Sequence, residues 1–212
     1  MPRDLPTGVT SRLDTLFERY RHCKACGLCS KRPVFFRGRG NPDADIALIT
    51  DKPTKADLNN GIILAPPHSK ILASMLSPLG YNIDDLWVTT TVLCAPEDGK
   101  DPKISEIKAC RERLCEELHM IRPKIIIGLG TLAIKALVPK KPPALTEVGG
   151  SVIDVFIQGD ITEYQIPALI TYSLNHLLRN QDTSPGGLWN KFYDHVQKAA
   201  LVVADLNKYA RK

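Results

Sequence analysis

Residues 123–137 read Pro123-Lys-Ile-Ile-Ile-Gly-Leu-Gly-Thr-Leu-Ala-Ile-Lys-Ala-Leu137, an apolar run that leads directly into a helical pattern. The three isoleucines predict a buried strand over Pro123–Gly128. The alanine- and leucine-rich stretch predicts a helix over Gly130–Leu137. A buried strand that passes straight into a helix is the repeating unit of an α/β fold.

The same alternation of strand and helix continues on both sides of this stretch. We predict further strands at Asp45–Thr50, Leu86–Leu93, Val152–Ile157 and Pro167–Thr171. We predict helices over residues 8–22, Ser69–Leu79, Lys103–Met120 and 187–208. The prolines of Pro139–Pro143 require a loop. We therefore expect one α/β domain over residues 1–212, a three-layer sandwich whose mainly parallel sheet is covered by helices on both faces.

Composition favours a soluble globular protein, because 43% of the residues are hydrophobic and 24% are charged. The segment Met1–Pro6 lacks the apolar stretch of a signal peptide, and no apolar run approaches membrane-spanning length. We expect a cytoplasmic monomer without a membrane partner.

Positive charge is concentrated near the N-terminus of a chain whose net charge is +5. A cluster of this kind favours a polyanionic partner such as DNA, and the alternative is a solvated basic face. The cluster consists of Arg19, Arg21, Lys24, Lys31, Arg32, Arg37 and Arg39.

Four of the six cysteines form a spaced set that suits a metal centre better than disulfides. Cys23 and Cys26 form a C-x-x-C pair, Cys94 follows a predicted strand, and Cys110 lies on the next predicted helix. Soft thiolates in fours select zinc or an iron–sulfur cluster, and a redox pair is a further alternative for the C-x-x-C. Cys29 is an alternative ligand to Cys26. Cys29 and Cys115 are otherwise explained as buried apolar residues.

A set of motifs spread along the chain carries a resemblance to a known family. The motifs are Cys23-x-x-Cys26-x-Leu28, Gly38–Asp45, Pro53, Gly61, Trp87–Cys94, Ile107–Arg111, Arg122–Gly130 and Tyr172…Leu177-Leu-Arg-Asn180. Together they resemble the iron–sulfur uracil-DNA glycosylases, family 4 of that superfamily, from about residue 20 to about residue 205. The resemblance implies a uracil-DNA glycosylase-like fold and a DNA N-glycosylase. It also implies a [4Fe–4S] cluster of structural role on Cys23, Cys26, Cys94 and Cys110.

The motif around Asp51 departs from the family pattern. The family has Gly-Glu-(Ala/Gly)-Pro-Gly, whereas this chain has Thr50-Asp51-Lys52-Pro53-Thr54. The resemblance therefore places Asp51 at the catalytic position, one methylene shorter, with Thr50, Lys52 and Pro53 in the base pocket. Lys52 is suited to a phosphate or to lowering the pKa of Asp51. The alternative is that Asp51 is a turn or capping residue before Pro53.

Three further pocket positions carry smaller side chains than the family has. Leu64 replaces an aromatic residue, Thr90 an asparagine and Ser173 a histidine. We expect loss of contacts specific to uracil and a wider pocket, with Asn175 in its wall and His176 as a partial substitute for the missing catalytic histidine. We expect Leu177 or Leu178 to wedge into DNA and Arg179 to bind a phosphate, whereas the alternative for the leucines is a place in the core.

These departures predict a glycosylase that flips out and excises a bulky modified pyrimidine, such as a hydroxymethylated or sugar-decorated base of phage DNA. DNA repair or antiviral defence would be its setting. Two alternatives stay open: a non-catalytic DNA-binding or replication-accessory module, and ordinary excision of uracil or another deaminated base.

Overall fold

The computed structural model of the protein describes residues 7–30, 32, 34–96, 99–159 and 162–209, so that Lys31 and Met1–Pro6 lie outside the described residues. The described residues form one sheet with the strand order β1-β3-β2-β4-β6-β5. Its strands are β1 (Arg39–Gly40), β2 (Ile46–Thr50), β3 (Trp87–Thr90), β4 (Ile125–Leu129), β5 (Val152–Gln158) and β6 (Glu163–Thr171).

The four central strands run parallel, and the two edge strands are antiparallel to their neighbours. Helices cover both faces, which confirms the predicted three-layer α/β architecture. The helices are α1 (Thr7–Arg21), α2 (Lys55–Asn60), α3 (His68–Leu76), α4 (Ile104–Ile121), α5 (Gly130–Leu137), α6 (Leu145–Val148), α7 (Leu174–Arg179) and α8 (Leu188–Tyr209).

Strand β2 shows how one apolar run serves two core layers. Ala47 and Ile49 point to the layer that contains α1, α4 and α5. Ile46 and Leu48 point to the layer that contains α3 and α8. Side chains alternate along a strand, so a strand covered on both faces has no polar side.

Several predicted boundaries were wrong for local reasons. The strand predicted over Leu86–Leu93 ends at Thr90, after which Thr91 donates its N–H to the carbonyl of Thr50. The helix predicted over Ser69–Leu79 covers His68–Leu76 and continues as a 3-10 turn. Strand β6 begins at Glu163, before Pro167, because pairing with β4 starts only at Ala168 and the proline therefore needs no N–H on that side.

The parallel arrangement brings four chain segments to one edge of the sheet. Asp51 follows β2, Thr91 follows β3, Gly130 follows β4 and Tyr172 follows β6. In open α/β sheets, ligands bind outside the carboxyl ends of the strands. None of the described helices is long and apolar enough to span a membrane.

Candidate active site and cysteine cavity

A small cavity opens at this edge of the sheet, next to Asp51. Its volume is about 30 Å³, room for about two water molecules. The expected widening by smaller side chains is therefore not visible in this structure. The lining residues are Thr50, Asp51, Lys52, Thr54, Asp57, Leu64, His68, Leu129, Ser173, Leu174 and Asn175.

The carboxyl group of Asp51 is held at the start of α5. Its Oδ1 accepts a hydrogen bond from the backbone N–H of Leu132 at 3.3 Å. A Cβ at Gly130 would lie 2.3 Å from the same oxygen, and Gly130 has a φ of +83°. Glycine is required at this position because only hydrogen leaves room for the carboxylate. The hydroxyl of Thr91 fixes the same residue by donating to the carbonyl oxygen of Asp51.

Burial raises the pKa of Asp51 from 3.8 to about 6. Hydrogen bonds from the Leu132 N–H and the Ser173 side chain, together with the charge of Lys52, lower this pKa, whereas the charge of Asp101 raises it. With a pKa of about 6, Asp51 is predominantly a carboxylate at neutral pH. The site therefore holds a desolvated negative charge.

Lys52 lines the cavity, but its ammonium group is engaged elsewhere. Nζ lies 2.6 Å from Oδ1 of Asp101 and also donates to the carbonyl oxygen of Gly99. The predicted lowering of the Asp51 pKa by Lys52 is present, and it is the smallest of the causes that act on this pKa. Pro53, predicted for the base pocket, is buried and is not among the lining residues.

Leu64 forms a fixed wall of the cavity. It is 3% exposed and has a φ of 56°, a left-handed conformation that is unusual for a branched residue. Arg39 donates to the carbonyl oxygens of Ile63 and Leu64 at 2.9 and 3.4 Å. The carboxylate of Asp57 accepts the N–H of Ala65 at 2.7 Å. Hydrogen bonds on both sides therefore hold a backbone conformation that leucine does not favour by itself.

Thr90 lies behind the cavity, so its predicted place in the pocket lining was wrong. It is fully buried and pairs in register with the lining residue Thr50. Its side chain points to the same face of β3 as Val88, which packs in one cluster with Leu64. The hydroxyl oxygen has no hydrogen-bond partner among the described residues.

Of the two residues predicted for the site near the start of helix α7, one lines the cavity and the other does not. Ser173 caps the helix, with its hydroxyl oxygen accepting the N–H of His176 at 3.3 Å, and it lines the cavity. His176 is exposed, stacks on Tyr172 with ring centroids 5.9 Å apart, and does not line the cavity. The prediction that His176 replaces a catalytic histidine is therefore not supported by its position.

The two candidate wedge leucines have different environments. Leu177 is 0% exposed and belongs to the core, so its prediction as a DNA contact was wrong. Leu178 is partly exposed and Arg179 is exposed. Adjacent residues of a helix point in different directions, and of these two only Leu177 is buried in the core.

Sequence reasoning missed His68, the first residue of α3. It is 7% exposed, and its Nε2 lies 2.9 Å from Oδ1 of Asn175. The hydrogen bond joins two walls of the cavity that are 107 residues apart in sequence. The available signal was a histidine directly before the predicted helix, four residues after Leu64.

A second cavity gathers five cysteines between α1, the end of β3 and α4. Cys23, Cys26, Cys29, Cys94 and Cys110 all line it, whereas Cys115 is buried in the core. Cys29 is only partly buried, so the interpretation of this residue as a buried apolar residue was wrong. Within the described ranges, no group of three or more His, Cys, Asp or Glu side chains is arranged to hold a metal ion.

Two guanidinium groups lie beside sulfur atoms of this cavity. Arg32 lies 3.5 Å from Sγ of Cys94, and Arg113 lies 3.7 Å from Sγ of Cys110. Burial raises the pKa of the Cys26 and Cys94 thiols. Positive groups at these positions favour thiolates, the form that binds metals.

Comparison with known proteins identifies the family. The family model of the uracil DNA glycosylase superfamily matches residues 37–199. The chain belongs to the uracil DNA glycosylase superfamily. This confirms the predicted family and, with it, the enzyme class, a DNA N-glycosylase.

Three type-4 uracil-DNA glycosylases are among the relatives of this superfamily member. The protein of Saccharolobus solfataricus is 30% identical over 76% of this chain and 74% of its own length. That of Thermotoga maritima is 28% identical over 80% of this chain and 84% of its own length. The match to that of Archaeoglobus fulgidus, 28% identical, covers 57% of this chain and 61% of that protein, less than two thirds of its length.

Several arginines of the basic cluster of this superfamily member form ion pairs within the chain. Arg19 pairs with Glu116, Arg21 with Glu18 and Arg37 with Asp14. Exposed pairs of this kind are weak, so a phosphate can compete for these side chains. Lys31 of the predicted cluster lies outside the described residues.

Proposed function

We propose that this chain draws one pyrimidine nucleotide out of a DNA strand and hydrolyses its N-glycosidic bond, with Asp51 facing the sugar. The observation that carries the proposal is the buried Asp51 carboxyl, whose pKa burial raises to about 6 at the edge of the parallel sheet. A base is unreachable inside the stack, so extrusion must precede the chemistry.

The chemistry requires a negative charge at this position. As the C1′–N bond breaks, positive charge develops on the sugar and the base leaves with the bonding electron pair. The Asp51 carboxylate stabilises the sugar cation, or polarises the water that adds hydroxide to C1′ while the proton goes to the base. Leu132 holds the carboxylate by its N–H, so little reorganisation is needed when charge develops.

The base that we propose is a modified pyrimidine. Leu64 and Ser173 line the cavity and Thr90 lies behind it, and all three are smaller than the residues of the resembled family. Excision of such bases from phage DNA would serve defence. The second candidate is plain uracil, which is favoured by the cavity volume of about 30 Å³ and by the type-4 relatives.

We propose DNA as the partner, with Leu178 as the wedge and Arg179 on a phosphate. Both lie on α7, directly after the lining residues Ser173 and Asn175, and both are accessible at least in part. An apolar wedge fills the space that an extruded base leaves. A monomeric state, a cytoplasmic location and a single domain over residues 1–212 stay predictions.

We propose a [4Fe–4S] cluster as the group held by Cys23, Cys26, Cys94 and Cys110. Support comes from the five thiols that line one cavity and from the guanidinium groups of Arg32 and Arg113, which offset thiolate charge. A cluster of this kind would be held by four Cys thiolates. When bound, it would tie the N-terminal segment to α4 and take no part in hydrolysis.

The test is mass spectrometry of the bases that purified protein releases. Single-stranded uracil DNA, unmodified DNA and DNAs with hydroxymethylated or glucosylated pyrimidines are incubated with wild type and with Asp51→Asn. We expect release from one modified DNA and a loss of about 10²- to 10⁴-fold in the variant, because a carboxamide carries no charge.

Release of uracil alone would contradict the modified base and support the second candidate, plain uracil. No release from any DNA, with equal DNA binding by wild type and Asp51→Asn, would establish the non-catalytic alternative.

A further inference from the structure

His68 is a polar residue in the wall of the candidate active site with no role in the chemistry described above. It begins α3, is 7% exposed and lines the cavity together with Asp51, Leu64 and Asn175. The apolar cluster on this side of the sheet includes Ile63, Leu72 and Leu76, whereas the cavity itself is lined mainly by polar residues. A buried imidazole in such surroundings requires partners for both ring nitrogens.

Among the described residues, one of the two ring nitrogens has a partner. Nε2 lies 2.9 Å from Oδ1 of Asn175, and an amide oxygen accepts but cannot donate, so Nε2 carries the hydrogen. In that tautomer Nδ1 presents a lone pair and acts as an acceptor. Nδ1 is buried and has no hydrogen-bond partner among residues 7–30, 32, 34–96, 99–159 and 162–209.

A second unpartnered atom lies on the same side of the sheet. The hydroxyl of Thr90 is buried without a partner in the described part of the chain, and Thr90 pairs in register with the lining residue Thr50. Thr90 also occupies the position at which the resembled family has the asparagine that reads the base edge. The usual reading group is therefore replaced by a short hydroxyl behind the cavity.

We propose that His68 reads the extruded base, with its Nδ1 accepting a hydrogen bond from an N–H on the edge of a pyrimidine. This inference rests on the proposed function. Uracil and thymine offer such a donor at N3, and cytosine offers its N4 amino group. Asn175 is a positioning residue that fixes the tautomer and the ring orientation of His68 from α7.

This assignment gives the site its selectivity. A base without the N–H leaves the buried Nδ1 unpaired, which disfavours its entry more than the loss of one exposed contact would. In the resembled family, the asparagine at the position of Thr90 reads the base. Here His68 reads it from α3.

The test measures affinity for single-stranded oligonucleotides that contain one 2′-fluoro-2′-deoxyuridine or one 2′-fluoro-2′-deoxycytidine, in which fluorine suppresses cleavage. Each is compared with an abasic oligonucleotide and with its N3-methyl or N4,N4-dimethyl counterpart, which lacks the N–H. For one of the two bases we expect wild type to prefer the unmethylated probe over both comparison strands by about tenfold or more.

The diagnostic variant is His68→Gln, because its amide nitrogen can keep the bond to Asn175 while Nδ1 is lost. We expect its preference to fall to about one, with abasic binding unchanged. His119→Gln is the matched control, because His119 lies on α4, packs against Tyr164 of β6 and does not line the cavity. Full preference in His68→Gln, or a wild type that binds the methylated and unmethylated probes equally, overturns the inference.

The outcomes separate the two proposals. Base release that proceeds while His68→Gln keeps full preference overturns the inference and leaves the proposed function standing. If the preference depends on His68 but the protein releases no base, the inference stands and the proposed glycosylase function is overturned.

Discussion

The two cavities of this protein differ in how closely they follow the family. The cysteine cavity holds Cys23, Cys26, Cys94 and Cys110, the complete ligand set of the resembled glycosylases. The cavity at Asp51 keeps an acid, but Leu64 and Ser173 replace an aromatic residue and a histidine. By the resemblance, the cysteine cavity keeps the residues of the family, whereas the cavity at Asp51 has lost two of them. This difference is the basis on which a modified pyrimidine is proposed as the substrate.

One buried network connects the two cavities. Arg113 is fully buried and ion-paired with Glu117. It donates to the carbonyl oxygens of Thr90 and Thr91 at 2.7 and 3.3 Å, and lies 3.7 Å from Sγ of Cys110. The end of β3 pairs with the lining residue Thr50, and Thr91 donates to the carbonyl oxygen of Asp51. This segment is thus held by the same side chain that contacts a cysteine.

The largest expected effect comes from removing a cysteine ligand. We expect Cys110→Ser, purified anaerobically, to lose visible charge-transfer absorbance and about 10 °C or more of Tm, because a structural metal centre contributes folding free energy. Cys29→Ser is the matched control, since Cys29 lines the same cavity. It should keep the absorbance and the Tm.

Loss of colour in Cys29→Ser but not in Cys26→Ser would show that Cys29 is the ligand in place of Cys26. A colourless wild type that contains zinc by mass spectrometry would replace the cluster by zinc.

The next effect comes from the connection between the cavities. We expect Arg113→Met to lower the free energy of unfolding by about 3–5 kcal/mol, because Glu117 is left as an unpaired buried charge. Denaturant unfolding measures it. Arg111→Met, which removes hydrogen bonds to the carbonyls of Ala136 and Phe156, is the matched control and should cost about 1 kcal/mol.

Adding Glu117→Gln to Arg113→Met removes the buried charge and should restore part of the lost stability. A double variant as unstable as the single one would contradict the assignment of the loss to that charge.

The smallest effect is a pH-dependent stability at Asp51. Folding raises the pKa of this carboxyl from 3.8 to about 6, so the folded state binds the proton more tightly than the unfolded state does. Ionisation therefore costs the folded protein roughly 3 kcal/mol above a pH of about 6, and nothing below a pH of about 4. Asp51→Asn removes this cost, and its stability relative to wild type should rise by roughly that amount between about pH 4 and about pH 8.

Thermal unfolding at both pH values measures the difference. Asp154→Asn, at an exposed position on β5, is the control and should change stability little at either pH. A relative stability of Asp51→Asn that is equal at the two pH values would show that the carboxyl is solvated.

The sequence by itself determined the layers of the fold, the enzyme family and the catalytic candidate. Apolar runs such as Ile125–Ile127 can be recognised as buried strands because burial on both faces excludes polar residues. The C-x-x-C spacing of Cys23 and Cys26 is likewise a local pattern, and so is the acid that follows β2. Boundaries were less accurate, because the end of β3 depends on pairing with β2.

Only the tertiary structure decided how the cavity at Asp51 is lined. His68 and Asn175 meet across 107 residues, Thr90 lies behind the lining, and His176 turns away from it. Leu177 and Leu178 are identical in type, and only packing assigns the first to the core. Such contacts depend on helix rotation and on side-chain direction, which sequence spacing does not specify.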